Sequence, residues 1–180
     1  MEISEAIKKR RSVREYTSED ISEDLLREII KAGTVAPSAR NMQPWHFIII
    51  RDNLIQKQLI LDGSGREQLV KAPVVIAVCF DNKNEYGALD AALAAENIMI
   101  AAAGHGVGSC VVASYYQRQD KKDQYSKLKE TIKLPENIDA LLLMALGYSE
   151  EIPAERKLKP FEELIHFDRF GGLQYLKDEK

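Results

Sequence analysis

Ala88-Leu89-Asp90-Ala91-Ala92-Leu93-Ala94-Ala95-Glu96-Asn97-Ile98-Met99-Ile100-Ala101-Ala102-Ala103 is the stretch on which the fold turns. Alanine, the strongest helix former, dominates it. Leu89, Leu93, Ile98, Met99 and Ile100 are spread around the circumference, and a helix apolar nearly all round is expected to be buried nearly all round. A chain of 180 residues has little material to wrap such a helix completely. The stretch therefore predicts a long central helix that shares its cover with a partner subunit. Asp90, Glu96 and Asn97 interrupt it, leaving it too short and too polar to span a bilayer.

Outward from this helix, apolar runs alternate with helical periodicity. Upstream, Pro73 introduces a strand over Val74–Phe80, and Asp81–Gly87 reads as a polar loop of weak local structure. Trp45–Ile50 reads as a strand covered on both faces, because Phe47-Ile48-Ile49-Ile50 is continuously apolar. Leu54–Leu61 predicts a short helix, with a turn at Gly63 and Gly65. Ile3, Ala6 and Ile7 predict a first helix ending near Arg10, followed by a loop from Arg11 to Tyr16. A second helix starts at the N-cap Ser22, with Ile21 placed to staple on Leu26. Gly33 stands where its C′ residue belongs.

Downstream, Gly104, Gly106 and Gly108 break the central helix, and Val107–Ala113 is extended. Asp120–Ile132 is a charged surface helix, Ala140–Leu146 a further strand, and Phe161–Phe170 a short helix. Leu173, Tyr175 and Leu176 look like an end that docks on something. No linker or repeat divides the chain, so residues 1–180 read as one domain of alternating helices and strands.

Composition excludes several classes. With 45% apolar and 29% charged residues the chain reads as globular. Its formal net charge of -3 speaks against a nucleic-acid or membrane binder. Cys79 and Cys110 lie in apolar runs without metal-ligand spacing, and three scattered histidines build no metal site. Two buried free thiols and an N-terminus without a signal-peptide core point to a cytoplasmic enzyme.

Three clusters carry chemistry. In Arg10-Arg11-Ser12-Val13-Arg14, extended backbone puts Arg10, Ser12 and Arg14 on one side, while Val13 anchors inward. Guanidinium forks and a hydroxyl suit a terminal phosphate monoester, although a solvated basic patch has the same spacing. Arg11 has the opposite phase, and a salt bridge suits it as well as a ligand does. In Ala36-Pro37-Ser38-Ala39-Arg40-Asn41-Met42-Gln43-Pro44-Trp45, two prolines restrict a loop whose Ser38, Asn41 and Gln43 offer neutral donors and acceptors. That inventory suits a heteroaromatic ring edge or an ordinary Asx or Ser turn. Gly104-His105-Gly106-Val107-Gly108-Ser109 follows a helix and precedes a strand, so it is no dinucleotide fingerprint. It serves as a helix cap, or as a place where backbone approaches a flat ligand or phosphate.

Together with Ala72-Pro73-Val74-Val75, Ala95-Glu96-Asn97-Ile98-Met99, Leu146-Gly147-Tyr148 and Phe161-Glu162-Glu163-Leu164-Ile165-His166, these clusters resemble the nitroreductase family of FMN-dependent oxidoreductases over nearly the whole chain. The resemblance implies an α+β, three-layer fold with a mixed central sheet and a long central dimer helix. It corrects the doubly wound parallel sheet that alternation alone suggests. It further implies a homodimer with FMN at the subunit interface. Arg10, Ser12 and Arg14, with Arg11 beside them, match the segment that holds the FMN phosphate and ribityl chain. Pro37, Ser38, Ala39 and Asn41 match the segment lining the ring or ribityl region. Gln43 matches a position that reaches the flavin of the other subunit, and Gly106, Gly108 and Ser109 lie near ring or phosphate in relatives. Family members often carry an arginine shortly before the proline matching Pro160. Here Leu158 stands about there, with Lys159 as substitute and Arg156 or Lys157 as alternatives. The implied reaction is ping-pong: NADH or NADPH passes hydride to flavin N5, then a nitroaromatic, quinone or similar small-molecule acceptor is reduced. No catalytic side chain is implied. Alternatives are a specialised dehydrogenase or dehalogenase of the same fold, and a flavin-binding or storage protein without turnover. Asp81–Gly87 and Tyr115–Leu128 are candidate lids, with Tyr115, Tyr116 and Tyr125 either bordering a pocket or purely structural.

Overall fold

The computed structural model describes residues 2–60, 66–114, 117–150, 153–154 and 156–172. The turn at Gly63 and Gly65, Tyr115, Tyr116, and the end bearing Leu173, Tyr175 and Leu176 lie outside the described residues. In chain order the elements are α1 (Ile3–Lys9), α2 (Glu23–Thr34), β1 (Trp45–Ile50), α3 (Asn53–Gln58), α4 (Gln68–Lys71), β2 (Val74–Asp81), α5 (Gly87–Gly104), β3 (Gly108–Ala113), α6 (Lys122–Thr131) and β4 (Ile138–Gly147). Short 3-10 turns cover Ala39–Asn41, Gln119–Lys121 and Phe161–Glu163.

The strands form an antiparallel sheet in the order β1-β2-β4-β3. Its parallel component is a bridge between Ser12 and Ser109 at the β3 edge. Because side chains alternate along a strand, β2 feeds two cores. Val74, Ile76, Val78 and Phe80 join Met144 and Leu146 under α2 and α5. Val75, Ala77 and Cys79 join Leu143, Ala145, Cys110 and Val112 with Leu59, Leu69 and Leu128 on the opposite face. Helices on both faces of one sheet make the three layers. Burial pushes the Cys79 thiol up to about 12 and raises Cys110 as well, so neither is poised as a nucleophile.

The second helix starts as expected. Ser22 Oγ accepts from Leu25 N–H at 3.3 Å, and Ile21 and Leu26 are both buried in the same cluster. It does not end at Gly33. Gly33 lies inside α2, buried, and a Cβ there would stand 2.7 Å from Ile98 Cγ1. This glycine lets α2 and α5 approach closely and is no cap. Two further expectations are corrected. β1 is an edge strand with Ile49 exposed, not a strand covered on both faces. The Phe161–Phe170 segment forms one 3-10 turn, and Asp168 has φ 60°, which a helix does not accommodate. The loop before α5 is well tied: Lys83 N–H donates to Asp81 Oδ1 at 3.0 Å and Tyr86 N–H to Asn84 Oδ1 at 2.9 Å.

α5 packs on β2, α2 and α1, burying Asp90, Ala91, Ala94, Ala95, Ile98 and Ala102. The helix runs Gly87–Gly104, longer than the 88–103 stretch read as too short, and by length and hydropathy alone it passes as a membrane span, although the sheet and α2 bury one side of it. Its other side is open: Leu89 is 60% and Leu93 41% exposed.

α6 is fastened to β4 by a polar cluster. Asp139 accepts from Tyr125 Oη at 2.9 Å, Lys129 Nζ at 2.9 Å and Asn82 Nδ2 at 3.2 Å. Tyr125 Oη in turn accepts from Ala140 N–H at 2.9 Å, which is a structural role. Burial alone would raise the Asp139 carboxyl, but hydrogen bonds from Lys129, Tyr125 and Asn82 outweigh it and hold the group below its ordinary value. A carboxylate depressed in the folded state contributes stability that is complete above its unfolded value of about 4 and is lost as pH falls through the depressed value. Asp139→Asn is therefore expected to flatten the acid limb of a stability-versus-pH curve below about pH 4. Parallel acid limbs for the two proteins would contradict this account.

Candidate functional site

Arg10 caps α1, its N–H donating to Ala6 O at 2.9 Å. The chain then runs extended beside the start of β3. Val13 N–H donates to Ser109 O at 2.9 Å, and Tyr16 Oη donates to Val13 O at 2.6 Å. Val13 is buried, while Ser12 and Arg14 are exposed, as the period of two requires. Gly108 makes the approach possible, because a Cβ there would stand 2.9 Å from Val13 Cβ. A buried valine against a glycine is what joins the two sequence clusters.

Two cavities open at this junction and share Arg10, Arg11 and Pro153. One, of about 410 Å³, is lined by Arg10 and Arg11 together with Gly106, Val107, Gly108 and Ser109. The other, of about 300 Å³, is lined by Arg10, Arg11, Ser12, Arg14 and Arg156. Arg156 Nη2 donates to Arg10 O at 2.8 Å, and Arg11 Nη2 donates to Ala154 O. Arg14 Nη1 stands 3.4 Å from Ser12 O. The carboxylate paired with this group is Glu96, 3.6 Å from Arg10 Nε. Four guanidinium groups and a hydroxyl around one cavity, with no lining carboxylate among the described residues, form a donor set for a dianion. Gly106 has φ +76° and, among the described residues, nothing within 4 Å of where a Cβ would stand, so backbone is open to a flat ligand beside that donor set.

The loop between α2 and β1 stands apart and lines neither cavity. Arg40, Asn41 and Gln43 have φ of 52°, 56° and 48°. Left-handed backbone costs a non-glycine residue about 1–2 kcal/mol, and such strain is concentrated at ligand sites. Ser38 Oγ accepts from Gln43 N–H at 3.0 Å, and Asn41 N–H donates to Ser38 O at 3.0 Å. Pro37, Asn41 and Gln43 are exposed. Asp90 Oδ2 accepts from Ala39 N–H at 3.2 Å.

The Nitroreductase family model matches residues 7–148, a span that contains the Arg/Ser segment, the strained loop and the glycine cluster. The chain belongs to the nitroreductase family. A relative from Archaeoglobus fulgidus, provisionally named an NADH dehydrogenase/NAD(P)H nitroreductase, is 35% identical over 147 residues, covering 79% of this chain and 82% of its own. A crystal structure from Bacteroides thetaiotaomicron under the same provisional name superposes with a TM-score of 0.84 at 28% identity, over 93% and 98% of the two chains. An FMN-dependent nitroreductase from Clostridium difficile gives 0.82 at 28% identity, over 92% and 98%.

In this nitroreductase-family chain the structure gathers Arg10, Arg11, Ser12, Arg14, Gly106, Gly108 and Ser109 around the paired cavities. It leaves Pro37, Ser38, Ala39, Asn41 and Gln43 on the separate loop. Lys159 is exposed and lines neither cavity, whereas Arg156 lines one. Asp90 was legible only as an interruption of an apolar run. The signal was a charge kept on a buried helix, which needs a partner.

Proposed function

We propose that the chain is an NAD(P)H-dependent FMN oxidoreductase that works as a homodimer with the flavin at the subunit interface, reducing nitroaromatics, quinones or similar small acceptors in the cytoplasm. The observation that carries this reading is the cavity walled by Arg10, Arg11, Ser12, Arg14 and Arg156, continuous in its lining with the open backbone at Gly106. The family membership and the FMN-dependent relative support it. The donor set fits the FMN phosphate, and Arg156 takes the place that Lys159 had in the sequence reading.

FMN, when bound, supplies reversible two-electron chemistry between NADH or NADPH and the acceptor, one after the other. The chain's own work is binding and orientation. Arg10 and Arg14 neutralise the phosphate, Ser12 adds a directional donor, and Arg156 fixes the Arg10 carbonyl. Ser38, Asn41 and Gln43, which line neither cavity within one chain, would meet the ring and ribityl side across the proposed subunit interface. Glu96, set against Arg10, keeps that guanidinium oriented. No side chain is assigned as acid or base, so protons come from solvent. The exposed Leu89 and Leu93 on α5 supply the dimer surface.

The test is spectroscopic. The purified protein should be yellow or take up added FMN, and anaerobic mixing with NADH or NADPH should bleach the flavin band. Restoration of colour on adding a quinone or nitroaromatic completes the cycle. Colour that persists with both reductants would leave a binding protein and remove the enzyme reading.

A further inference from the structure

We infer that Asp90 is a positioning residue: its buried carboxylate, on the central helix, sets the Ser38–Gln43 loop against α5 through the Ala39 N–H. The inference rests on the functional reading above and deepens it, by assigning the part of the fold that holds the ring-side loop in place.

Asp90 is 3% exposed, in the first turn of α5. A carboxylate there gains from the helix N-terminus, but a buried charge still requires hydrogen-bonding partners. Ala39 N–H is 3.2 Å from Oδ2, and a bond to an ionised acceptor is of the stronger kind. The other hydrogen bonds of the loop are internal. Gln43 N–H to Ser38 Oγ, Asn41 N–H to Ser38 O, Met42 N–H to Ala39 O and Gln43 Nε2 to Asn41 O fix its shape, not its place. Among the described residues, the bond to Asp90 is the hydrogen bond that ties Ser38–Gln43 to another element. It acts at the residue just before the left-handed positions Arg40, Asn41 and Gln43. A segment strained at three positions, tied to α5 at Ala39 and held beyond Gln43 where Asp81 N–H donates to Pro44 O at 2.9 Å, should loosen at its Ala39 end when the tie to Asp90 is cut.

Three variants test this. Asp90→Ala removes the acceptor, and Asp90→Asn keeps an acceptor oxygen of the same shape. Ala39→Pro removes the donor from the loop side, after a Ser38 whose extended backbone (φ -141°, ψ 151°) tolerates a following proline. Trypsin cleavage after the exposed Arg40 in flavin-free protein reports the loop, and fluorescence quenching reports FMN and riboflavin affinity. Asp90→Ala and Ala39→Pro should each speed the cleavage and weaken FMN by about tenfold or more, the scale of one lost charged hydrogen bond. Riboflavin should weaken by the same factor, because the loop does not hold the phosphate. Asp90→Asn should fall between wild type and Asp90→Ala, since the neutral amide oxygen still accepts but makes the weaker, uncharged bond. Should Asp90→Ala not fold, Ala39→Pro carries the same test. Unchanged cleavage and affinity in Ala39→Pro, or an Asn variant as damaged as Ala, overturns the inference. A wild-type protein that quenches no FMN overturns the functional reading, and with it the flavin role of Asp90. The cleavage arm tells the two failures apart.

Discussion

FMN should bind the wild-type protein far more tightly than riboflavin, and the double variant Arg10→Ala/Arg14→Ala, which keeps Arg11, Ser12 and Arg156, should lose most of that difference. The molecules differ by a phosphate, so the ratio of their dissociation constants isolates what the basic cluster contributes. Hydrogen bonds to charged groups are worth about 1.5–3 kcal/mol each. Two guanidinium groups would therefore separate the ligands by about 10²- to 10⁴-fold. Arg14 is exposed, its partner among the described residues being the Ser12 carbonyl at 3.4 Å, and Arg10 stands 3.6 Å from Glu96. Neither is so committed to the fold that its loss should unfold the chain. The expected result is an unchanged melting profile for the flavin-free protein, a weakened FMN constant and a riboflavin constant near wild type. Added salt should narrow the wild-type ratio, because an exposed phosphate contact is screened. A double variant that keeps full FMN occupancy on dilution would disprove the phosphate assignment. Loss of both ligands in proportion would place the arginines in the scaffold instead.

The fold was legible where local chemistry decides it. The limits of β1 follow from Pro44 and the apolar run to Ile50, and α2 begins at its Ser22 cap. Misreadings came where tertiary contact overrides local preference. Gly33 carries a helix-ending composition, yet the packing of Ile98 against α2 holds it within the helix. The 68–71 helix is a single turn, too short for periodicity to mark. For the site, a spacing of two predicted the inward Val13, but not that Val13 would meet Gly108 and so bring Gly106–Ser109 to the arginines. That contact spans nearly a hundred positions, and nothing local encodes it. Arg156 was no more visible than Lys159 among three neighbouring basic candidates, and its place in the cavity wall and its bond to the Arg10 carbonyl distinguish it.

If the protein is the homodimer proposed above, Leu93→Asp is expected to turn it into monomers and to release the flavin with it. The sequence reads as a central helix that shares its cover with a partner, and within one chain one side of it stays open. Leu89 and Leu93 stay 60% and 41% exposed one turn apart on α5, whose opposite side is buried against β2 and α2. An exposed apolar stripe on the most apolar helix of a chain marks an interface. In a twofold dimer every substitution counts twice. Losing a buried leucine costs about 1.5–3 kcal/mol, and an unpaired carboxylate in its place adds several more. Together this comes to about 6 kcal/mol or more over two copies, roughly 10⁴-fold in the dimer constant. Because Leu93 faces away from the core, the monomer should keep its helix content, as read by far-UV circular dichroism. Sedimentation should then give the mass of one chain, and FMN should be lost although Arg10, Ser12 and Arg14 are untouched. If the monomer instead held FMN as tightly as wild type, the site would be complete within one subunit. A variant that remained dimeric would place the interface elsewhere and leave the exposed leucines without a partner.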